Sequence, residues 1–520
     1  MRRDIHKFLT GYTTVDSFPP QEKPAVAERA ALAAGARDGA DWAIVVTHGM
    51  GQQVHFETLE QIAVALRNAE LRAQPGAAKP IVPRAVHLRN AKGTVTELVR
   101  AEMNVTGSDG QERTVHVYES YWAPLTEGQA TLRDVTSFMA ETFLRGLWFV
   151  TRYRGFNRWE FGGMQRYATR FFLSLGKLLA AILIFLLPLL LGNLLTVAQV
   201  YSLVRSGGTA AVIWEPYLND LRWVVVFAAV FGFGALILPK LYRVKFLTGR
   251  AGFLRALRTG LKILAITISL AGLGLVFCAE LLLFHHVGGP VMGWARYAVW
   301  AAVLAEGLIG RWFLIEYMGD VAIYATSFKV SRWDEVRGKI KKNVEDVVGA
   351  VYAARSGPDG KGHLIYPKVM VVGHSLGTVI SYDVLNQLVL EDELAMTEGR
   401  THDVLEVTER TKLMLTFGSP LDKTAFLFRT KGGTDELGQA AAAAWQPMIR
   451  AYGFRPAKWI NIWSWFDIVS APLHYYDVPG TAGGGKRIQN ITDAEAFVPL
   501  VAHTEYWNDD LLGDTMYREL

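Results

Sequence analysis

The feature that most constrains this chain is an apolar run from Leu178 to Val204, in which 27 consecutive residues carry no charge. A helix of that length extends roughly 40 Å, which exceeds the ~30 Å hydrocarbon core of a bilayer. Buried helices of soluble proteins seldom reach that length without a charged residue. The run therefore predicts a helix that crosses a membrane.

Three further apolar runs follow this one. The first of them is at the lower length limit for a span. The last is the weakest because it carries an arginine and a glutamate, and a partly buried or membrane-surface helix fits it about as well. The three runs are Trp223–Pro239, Ile263–Ala279 with its continuation to Phe284, and Val291–Ile309. Together the four runs predict an all-α transmembrane insertion of about four helices over residues 171–315, between flanks at residues 1–170 and 316–520.

Basic residues are concentrated on one side of the predicted spans. They crowd the approach from Arg145 to Lys177, and the loop Lys240–Lys262 holds seven of them and no acidic residue. By contrast, Arg205–Arg222 is charge-balanced and His285–Pro290 has no lysine or arginine. Because basic loops remain cytoplasmic, the pattern predicts four crossings of a plasma or inner membrane, with both flanks in the cytoplasm.

The composition agrees with a membrane partner and argues against other classes. The net charge of +5 is explained by basic residues that would meet anionic lipid headgroups, so nucleic acid is not an expected partner. Hydrophobic residues make up 51% of the chain and charged residues 20%, the reverse of the balance in disordered proteins. The single cysteine, Cys278, excludes an internal disulfide.

Both flanks alternate strand-like and helix-like segments. In the N-terminal flank, a helix-prone lead (Gln21–Arg37) precedes a buried strand (Ala43–Thr47), a helix (Thr58–Arg67) and two alternating strands (Thr94–Val105 and Arg113–Tyr121). In the C-terminal flank, the predicted segments are helix Asp334–Arg355, strand Lys368–Val372, helix Thr378–Leu390, and strands at Leu413–Phe417, Trp459–Trp463 and Arg487–Ile491. Such alternation predicts an α/β fold, with a mostly parallel, doubly wound sheet built from both flanks.

The strongest chemical motif is Gly373-His374-Ser375-Leu376-Gly377, between a predicted strand and a predicted helix. A serine hydroxyl is a poor nucleophile unless a base removes its proton. A sharp strand-to-helix turn keeps such a serine exposed to substrate, and it needs small neighbours because the backbone is crowded there. The pentapeptide alone arises often by chance, and its context is what makes Ser375 the candidate nucleophile.

A base and an acid follow in the order expected of a serine hydrolase of this topology. Asp467 lies just beyond the Trp459–Trp463 strand, and His503 lies after the last predicted strand. In this interpretation His503 takes the proton of Ser375 and later protonates the leaving group, while Asp467 orients the imidazole and stabilises its cation. Asp422 remains an alternative acid and His474 an alternative base.

The developing oxyanion needs two backbone donors. The first is the amide of Leu376, which directly follows the nucleophile. The second is expected from the turn His48-Gly49-Met50-Gly51, with the Met50 amide as donor and Gly49 close by. Because these pieces lie on opposite flanks, a single site requires an even number of membrane crossings, which agrees with the four predicted from charge.

These residues resemble the α/β-hydrolase lipases, and among them the DDHD-type intracellular phospholipases A1 and the PGAP1-like lipid hydrolases. The resemblance covers the two flanks but not the central insertion. It is carried by His48–Gln52, Glu119–Pro124, Gly373–Asp383, Asn461–Pro472 and His503–Trp507.

The resemblance implies a serine hydrolase that cleaves acyl esters of lipids, with Ser375, Asp467 and His503 as its triad. The apolar runs, which depart from the family's pattern, add the expectation that this hydrolase is embedded in a membrane. No cofactor or metal is expected, and the expected partners are the lipid substrate and the membrane. Two alternatives remain open. One is an acyltransferase or thioesterase on the same fold, and the other is a non-catalytic membrane scaffold.

Overall fold

A computed structural model gives the fold of parts of both flanks. The described residues are 40–51, 53–76, 79–89, 95–131, 319–326, 331–355, 363–424, 458–473, 476–477, 488–497 and 502–520, with single positions at 134, 135, 137, 138, 141, 144 and 456. The four apolar runs, the lead Gln21–Arg37 and the alternative base His474 lie outside the described residues. Within the described ranges, no helix combines the length and apolar character needed to cross a bilayer.

The described segments form strands and helices in alternation, numbered here in chain order. The strands are β1 (Trp42–Thr47), β2 (Val82–Arg89), β3 (Val95–Thr106), β4 (Glu112–Ser120), β5 (Lys368–His374), β6 (Thr411–Phe417), β7 (Trp459–Trp463) and β8 (Gln489–Thr492). The α-helices are α1 (Glu57–Ala73), α2 (Gly319–Thr326), α3 (Ser331–Ala353), α4 (Leu376–Thr397), α5 (Val407–Arg410), α6 (Ala502–Glu505) and α7 (Leu511–Glu519). Short 3₁₀ turns include Ala123–Leu125 and Tyr506–Asn508.

The eight strands form one sheet in the order β2-β3-β4-β1-β5-β6-β7-β8. From β4 to β8 every neighbouring pair is parallel, whereas β2–β3 and β3–β4 are antiparallel. The sheet is therefore mostly parallel, as predicted for an α/β fold, with an antiparallel edge contributed by the N-terminal flank.

Helices cover both faces of the sheet, and the side chains of β1 pack alternately against the two layers of helices. Ala43 and Val45 pack with α3 and α4, whereas Trp42, Ile44 and Val46 pack with α1 and α7. All six residues of β1 are buried. A strand buried on both faces reads as a continuous apolar run rather than as an alternating one, which is how this segment appears in the sequence.

The junction between β1 and β5 joins the two flanks. The strands pair in parallel, with Thr47 opposite Gly373. Just beyond them, a Cβ added to Gly377 would lie 2.3 Å from the carbonyl oxygens of both Thr47 and His48, so only glycine permits this approach. The Ser381 hydroxyl of α4 also donates to Thr47 Oγ1 at 2.8 Å, across 334 residues of sequence.

We expect Gly377→Ala to destabilise the fold, because its methyl group would collide with two backbone carbonyls that have no room to move. Gly338→Ala is the matched control, since that glycine lies exposed in α3 with nothing within 4 Å of the added Cβ. Alanine should stabilise a helix interior by up to ~1 kcal/mol. Thermal unfolding of the purified protein, followed by tryptophan fluorescence, should show midpoints that move in opposite directions. Equal midpoints for the two variants would contradict the close approach.

Candidate active site

The candidate site lies at one edge of the sheet, where the parallel strands end. In such sheets the carboxyl ends of parallel strands meet along one edge, which is where α/β proteins place ligands. The loops after β1, β5 and β7 carry Met50, Ser375 and Asp467, and His503 lies on α6, beyond β8. The fold therefore brings residues from both flanks to one place.

Ser375 occupies the turn between β5 and α4 and has a strained backbone, with φ 50° and ψ −128°. Its own N–H donates to the Phe417 carbonyl at the end of β6, and its carbonyl accepts from the N–H of Thr378. A Cβ at Gly373 would lie 2.8 Å from the Thr378 Cα. The tight turn thus requires the small residue that the motif supplies at Gly373. The two hydrogen bonds of the Ser375 backbone keep this residue in its strained conformation.

The imidazole of His503 bridges the candidate nucleophile, Ser375, and the candidate acid, Asp467. Its Nε2 lies 2.7 Å from Ser375 Oγ, and its Nδ1 lies 3.0 Å from Asp467 Oδ2. Because a carboxylate only accepts hydrogen bonds, Nδ1 carries the proton and Nε2 is left to accept from the serine hydroxyl. This is the geometry of a nucleophile, a general base and an orienting acid.

Asp467 is held as a buried carboxylate. Burial alone would raise its pKa, but the charge that His503 can carry and hydrogen bonds from His503, Val469 and Ser470 hold the pKa well below its usual range. Val469 N–H donates to Oδ1 at 2.8 Å, and the Tyr506 hydroxyl donates to Oδ2 at 2.9 Å. Without such partners a buried carboxylate would take up a proton, and it would then no longer attract the imidazolium form of His503.

Tyr506 is a site residue that sequence reasoning missed. Burial, followed by the negative charge of Asp467, raises its pKa well above 10, so the hydroxyl keeps its proton and remains a donor. The Tyr506 hydroxyl also lies 2.9 Å from Ser470 Oγ. Tyr506 stands three residues after His503, so the segment that carries the base also carries a donor to the acid.

The proposed oxyanion loop touches the nucleophile. A Cβ at Gly49 would lie 2.8 Å from the Ser375 Cβ, which makes glycine necessary there. Leu376 is the first residue of α4, and the N–H groups of a first helical turn have no acceptor within the helix. Among the described residues, none accepts a hydrogen bond from the Met50 N–H. Leu376 directly follows Ser375, and Met50 directly follows Gly49, so both predicted donor residues lie on the two turns that approach each other at Ser375.

His48 holds this loop in place. Its Nδ1 donates to the Gly49 carbonyl at 2.8 Å, and its Nε2 accepts from the N–H groups of Trp122 and Ala123 at 3.0 and 3.3 Å. Burial lowers the pKa of His48 to about 4, so the ring stays neutral and offers both a donor and an acceptor. The ring also stacks on Trp122, with centroids 4.8 Å apart.

Asp320 of α2 holds the other end of the loop. Its Oδ2 accepts from the Gly51 N–H at 2.9 Å, across 269 residues of sequence. A cavity of about 160 Å³ lies beside this contact and is bounded by Gly51, Tyr121 and Asp320. Ser375 does not line that cavity, which therefore adjoins the oxyanion loop rather than the nucleophile.

The alternative acid, Asp422, forms no hydrogen bond or ion pair with His503, which pairs with Asp467 instead. Its carboxylate lies 3.8 Å from the ammonium group of its neighbour Lys423, and burial raises its pKa. Across the described ranges, no group of three or more His, Cys, Asp or Glu side chains is arranged to hold a metal ion.

No protein-family model, curated protein or solved structure matches this chain. The chemistry of the site is therefore inferred from its own geometry.

Glu119, at the end of β4 beside the oxyanion loop, should make stability depend on pH. Burial raises its pKa to about 7 from 4.5, against the hydrogen bond that it accepts from the Phe56 N–H at 2.7 Å. Between those two pH values the folded chain retains a proton that the unfolded chain has lost, so the free energy of unfolding falls as pH rises through this window. The fall should amount to about 3 kcal/mol at most.

Glu119→Gln, which is neutral at every pH, should lack this dependence. The unfolding midpoint of wild type is expected to drop relative to that of the variant as pH rises from 4.5 to 7.5. A difference between the two midpoints that stays constant with pH would show that Glu119 is ionised throughout.

Proposed function

We propose that this protein is a serine hydrolase of the α/β-hydrolase type that cleaves acyl esters of lipids. The observation that carries the proposal is the continuous hydrogen-bonded chain from Ser375 Oγ through His503 to the buried carboxylate of Asp467. The strained serine between strand and helix supports it, because a backbone of that kind persists only where its surroundings impose it. A scaffold without catalytic function would have no need of this arrangement.

The proposed reaction proceeds through an acyl-enzyme. His503 Nε2 takes the proton of Ser375 as Oγ attacks the ester carbonyl, and the pair of electrons moves to the carbonyl oxygen. The N–H groups of Leu376 and Met50 stabilise that oxyanion, and Asp467 stabilises the imidazolium. The tetrahedral species then collapses, His503 gives its proton to the leaving alkoxide, and water repeats the sequence to release the acid.

The lipid class of substrate is supported by apolar surface on the same edge of the sheet. Trp465 and Phe466, two residues and one residue before Asp467, are 52% and 36% exposed. Val54 and Phe56, just after the oxyanion loop, are 59% and 38% exposed. Exposed apolar residues are ordinary when scattered, but here they lie on or beside the two loops that carry the acid and one of the proposed oxyanion donors. The apolar runs between the flanks are proposed to embed the chain in the membrane that supplies the substrate.

We expect Ser375→Ala and His503→Ala each to lower kcat by ~10³-fold or more, because either change removes the nucleophile or its base. The measurement is hydrolysis of p-nitrophenyl butyrate and of a panel of phospholipids and acylglycerols by the purified protein. Reaction of wild type with a fluorophosphonate probe should label Ser375 and no other residue.

Two outcomes would contradict parts of this proposal. Labelling that survives Ser375→Ala would remove Ser375 from its role. Products that carry the acyl group on an added alcohol or thiol, in preference to water, would identify a transferase on the same site.

We expect Trp465→Ser to lower hydrolysis of long-chain lipid in vesicles several-fold and to leave hydrolysis of soluble p-nitrophenyl butyrate unchanged. The reason is that an exposed aromatic side chain at the mouth of the site contributes contact with apolar substrate rather than with the reacting atoms. Leu394→Ser is the matched control, since Leu394 is also 52% exposed but lies near the far end of α4. If the two variants lose activity equally, or if Trp465→Ser loses as much activity on the soluble ester as on the lipid, Trp465 does not contact the substrate.

A further inference from the structure

His374, the residue before Ser375, makes a hydrogen bond to the backbone of His503. Its Nε2 lies 3.0 Å from the backbone carbonyl oxygen of His503. Because a carbonyl only accepts, His374 Nε2 carries the proton and donates it. The two imidazole rings also stack, with centroids 5.1 Å apart and planes 30° apart.

Neighbouring residues enclose the ring of His374 on several sides. An added Cβ at Gly49 would lie 2.8 Å from its Nδ1, and one at Gly418 would lie 3.3 Å from its Nε2. Phe417 stacks on the ring at 4.9 Å, and Trp507 meets it edge-on at 5.2 Å. The side chain therefore lies between the oxyanion loop and the end of β6, where it has little freedom to turn.

His374 is held in its neutral form. Burial, and after it the charge that His503 can carry, lower its pKa to about 3. The ring therefore keeps a single proton, and that proton is committed to the His503 carbonyl. A second positive charge at this distance would oppose the imidazolium that forms on His503 during the reaction.

The base itself stands on a short segment. His503 belongs to α6, which has only four residues. A single helical turn has little stability of its own, so its position depends on contacts with neighbouring elements. A misplacement of 1 Å in a catalytic constellation can cost ~10²-fold in rate.

We propose that His374 is a positioning residue for the catalytic base. His374 and Ser375, at the end of β5 and directly after it, each form a hydrogen bond with His503. Ser375 bonds to the imidazole, and His374 bonds to the backbone carbonyl. The distance between nucleophile and base is then set by one rigid strand end instead of by the α6 segment alone. This inference rests on the proposed hydrolase function and adds to it a residue that does not touch substrate.

The test compares His374→Phe, which keeps a flat ring but has no donor, with His374→Gln, whose side-chain N–H reaches a similar position. With p-nitrophenyl butyrate, His374→Phe is expected to lower kcat by about 10- to 100-fold with little change in KM. His374→Gln is expected to recover much of that loss. Rates are expressed per active site, titrated with the fluorophosphonate probe, so that loss of folded protein does not count as loss of rate.

His116→Phe is the matched control. His116 is also a buried imidazole whose pKa burial lowers to about 3, and its Nδ1 makes a hydrogen bond of 2.9 Å to the Tyr366 hydroxyl, away from Ser375. This change is expected to lower the unfolding midpoint but not kcat per active site. If His374→Phe does not fold, His374→Met, which also lacks a donor, takes its place.

A donor-free variant with wild-type kcat would overturn the positioning role, and so would a Gln variant as slow as the Phe variant. Both outcomes presuppose an active wild type and leave the proposed function intact. A wild type with no hydrolysis or labelling that depends on Ser375 would instead overturn the proposed function, and the positioning role with it.

Discussion

The pairing of β1 with β5 is the interaction on which the rest of the structure depends. It places Thr47 opposite Gly373 and so brings the ends of two strands from distant parts of the chain together. Gly377 then lies against the Thr47 and His48 carbonyls, at a distance that admits no side chain. A shift of one residue in this register would separate Gly49 from Ser375 and reverse the faces of β1 that the helices cover. The site is therefore a consequence of the register of this one strand pair.

The electrostatics of the site rest on two buried imidazoles, those of His48 and His374, which stay neutral. Burial lowers the pKa of His48 to about 4 and that of His374 to about 3. The single N–H of each ring donates a hydrogen bond to a backbone carbonyl. Asp467 is ionised, and Tyr506 keeps its proton. The charge that changes during the proposed reaction is then confined to His503 and the oxyanion. Neutral histidines thus act here as supports with one donor and one acceptor, a role that no charged side chain could fill beside the base.

What the sequence predicts well is what a local pattern encodes. The strand Trp459–Trp463 has the predicted bounds because it is a short apolar run buried in the sheet. By contrast, β2 was not predicted, because Val82–Arg89 lies at the edge of the sheet, contains a proline and lacks a buried run. In the site, the motif between a strand and a helix was enough to suggest Ser375, and chain order was enough to suggest Asp467 and His503. The contact of Asp320 with Gly51 joins residues 269 apart, and no local pattern records it.

The sheet shared by the two flanks also constrains how many times the chain between them can cross a membrane. That interval leaves after β4 and returns at α2, and β4, β1 and β5 are neighbours in one hydrogen-bonded sheet. Such a sheet cannot be divided by a bilayer, because its backbone groups would lose their partners in hydrocarbon. Any membrane crossings in the interval must therefore be even in number. If Leu178–Val204 and Ile263–Ala279 both cross, the two weaker runs, Trp223–Pro239 and Val291–Ile309, either both cross or both remain on one side. The loop between the second and third runs is basic, and basic loops prefer the cytoplasmic side, which favours the former arrangement.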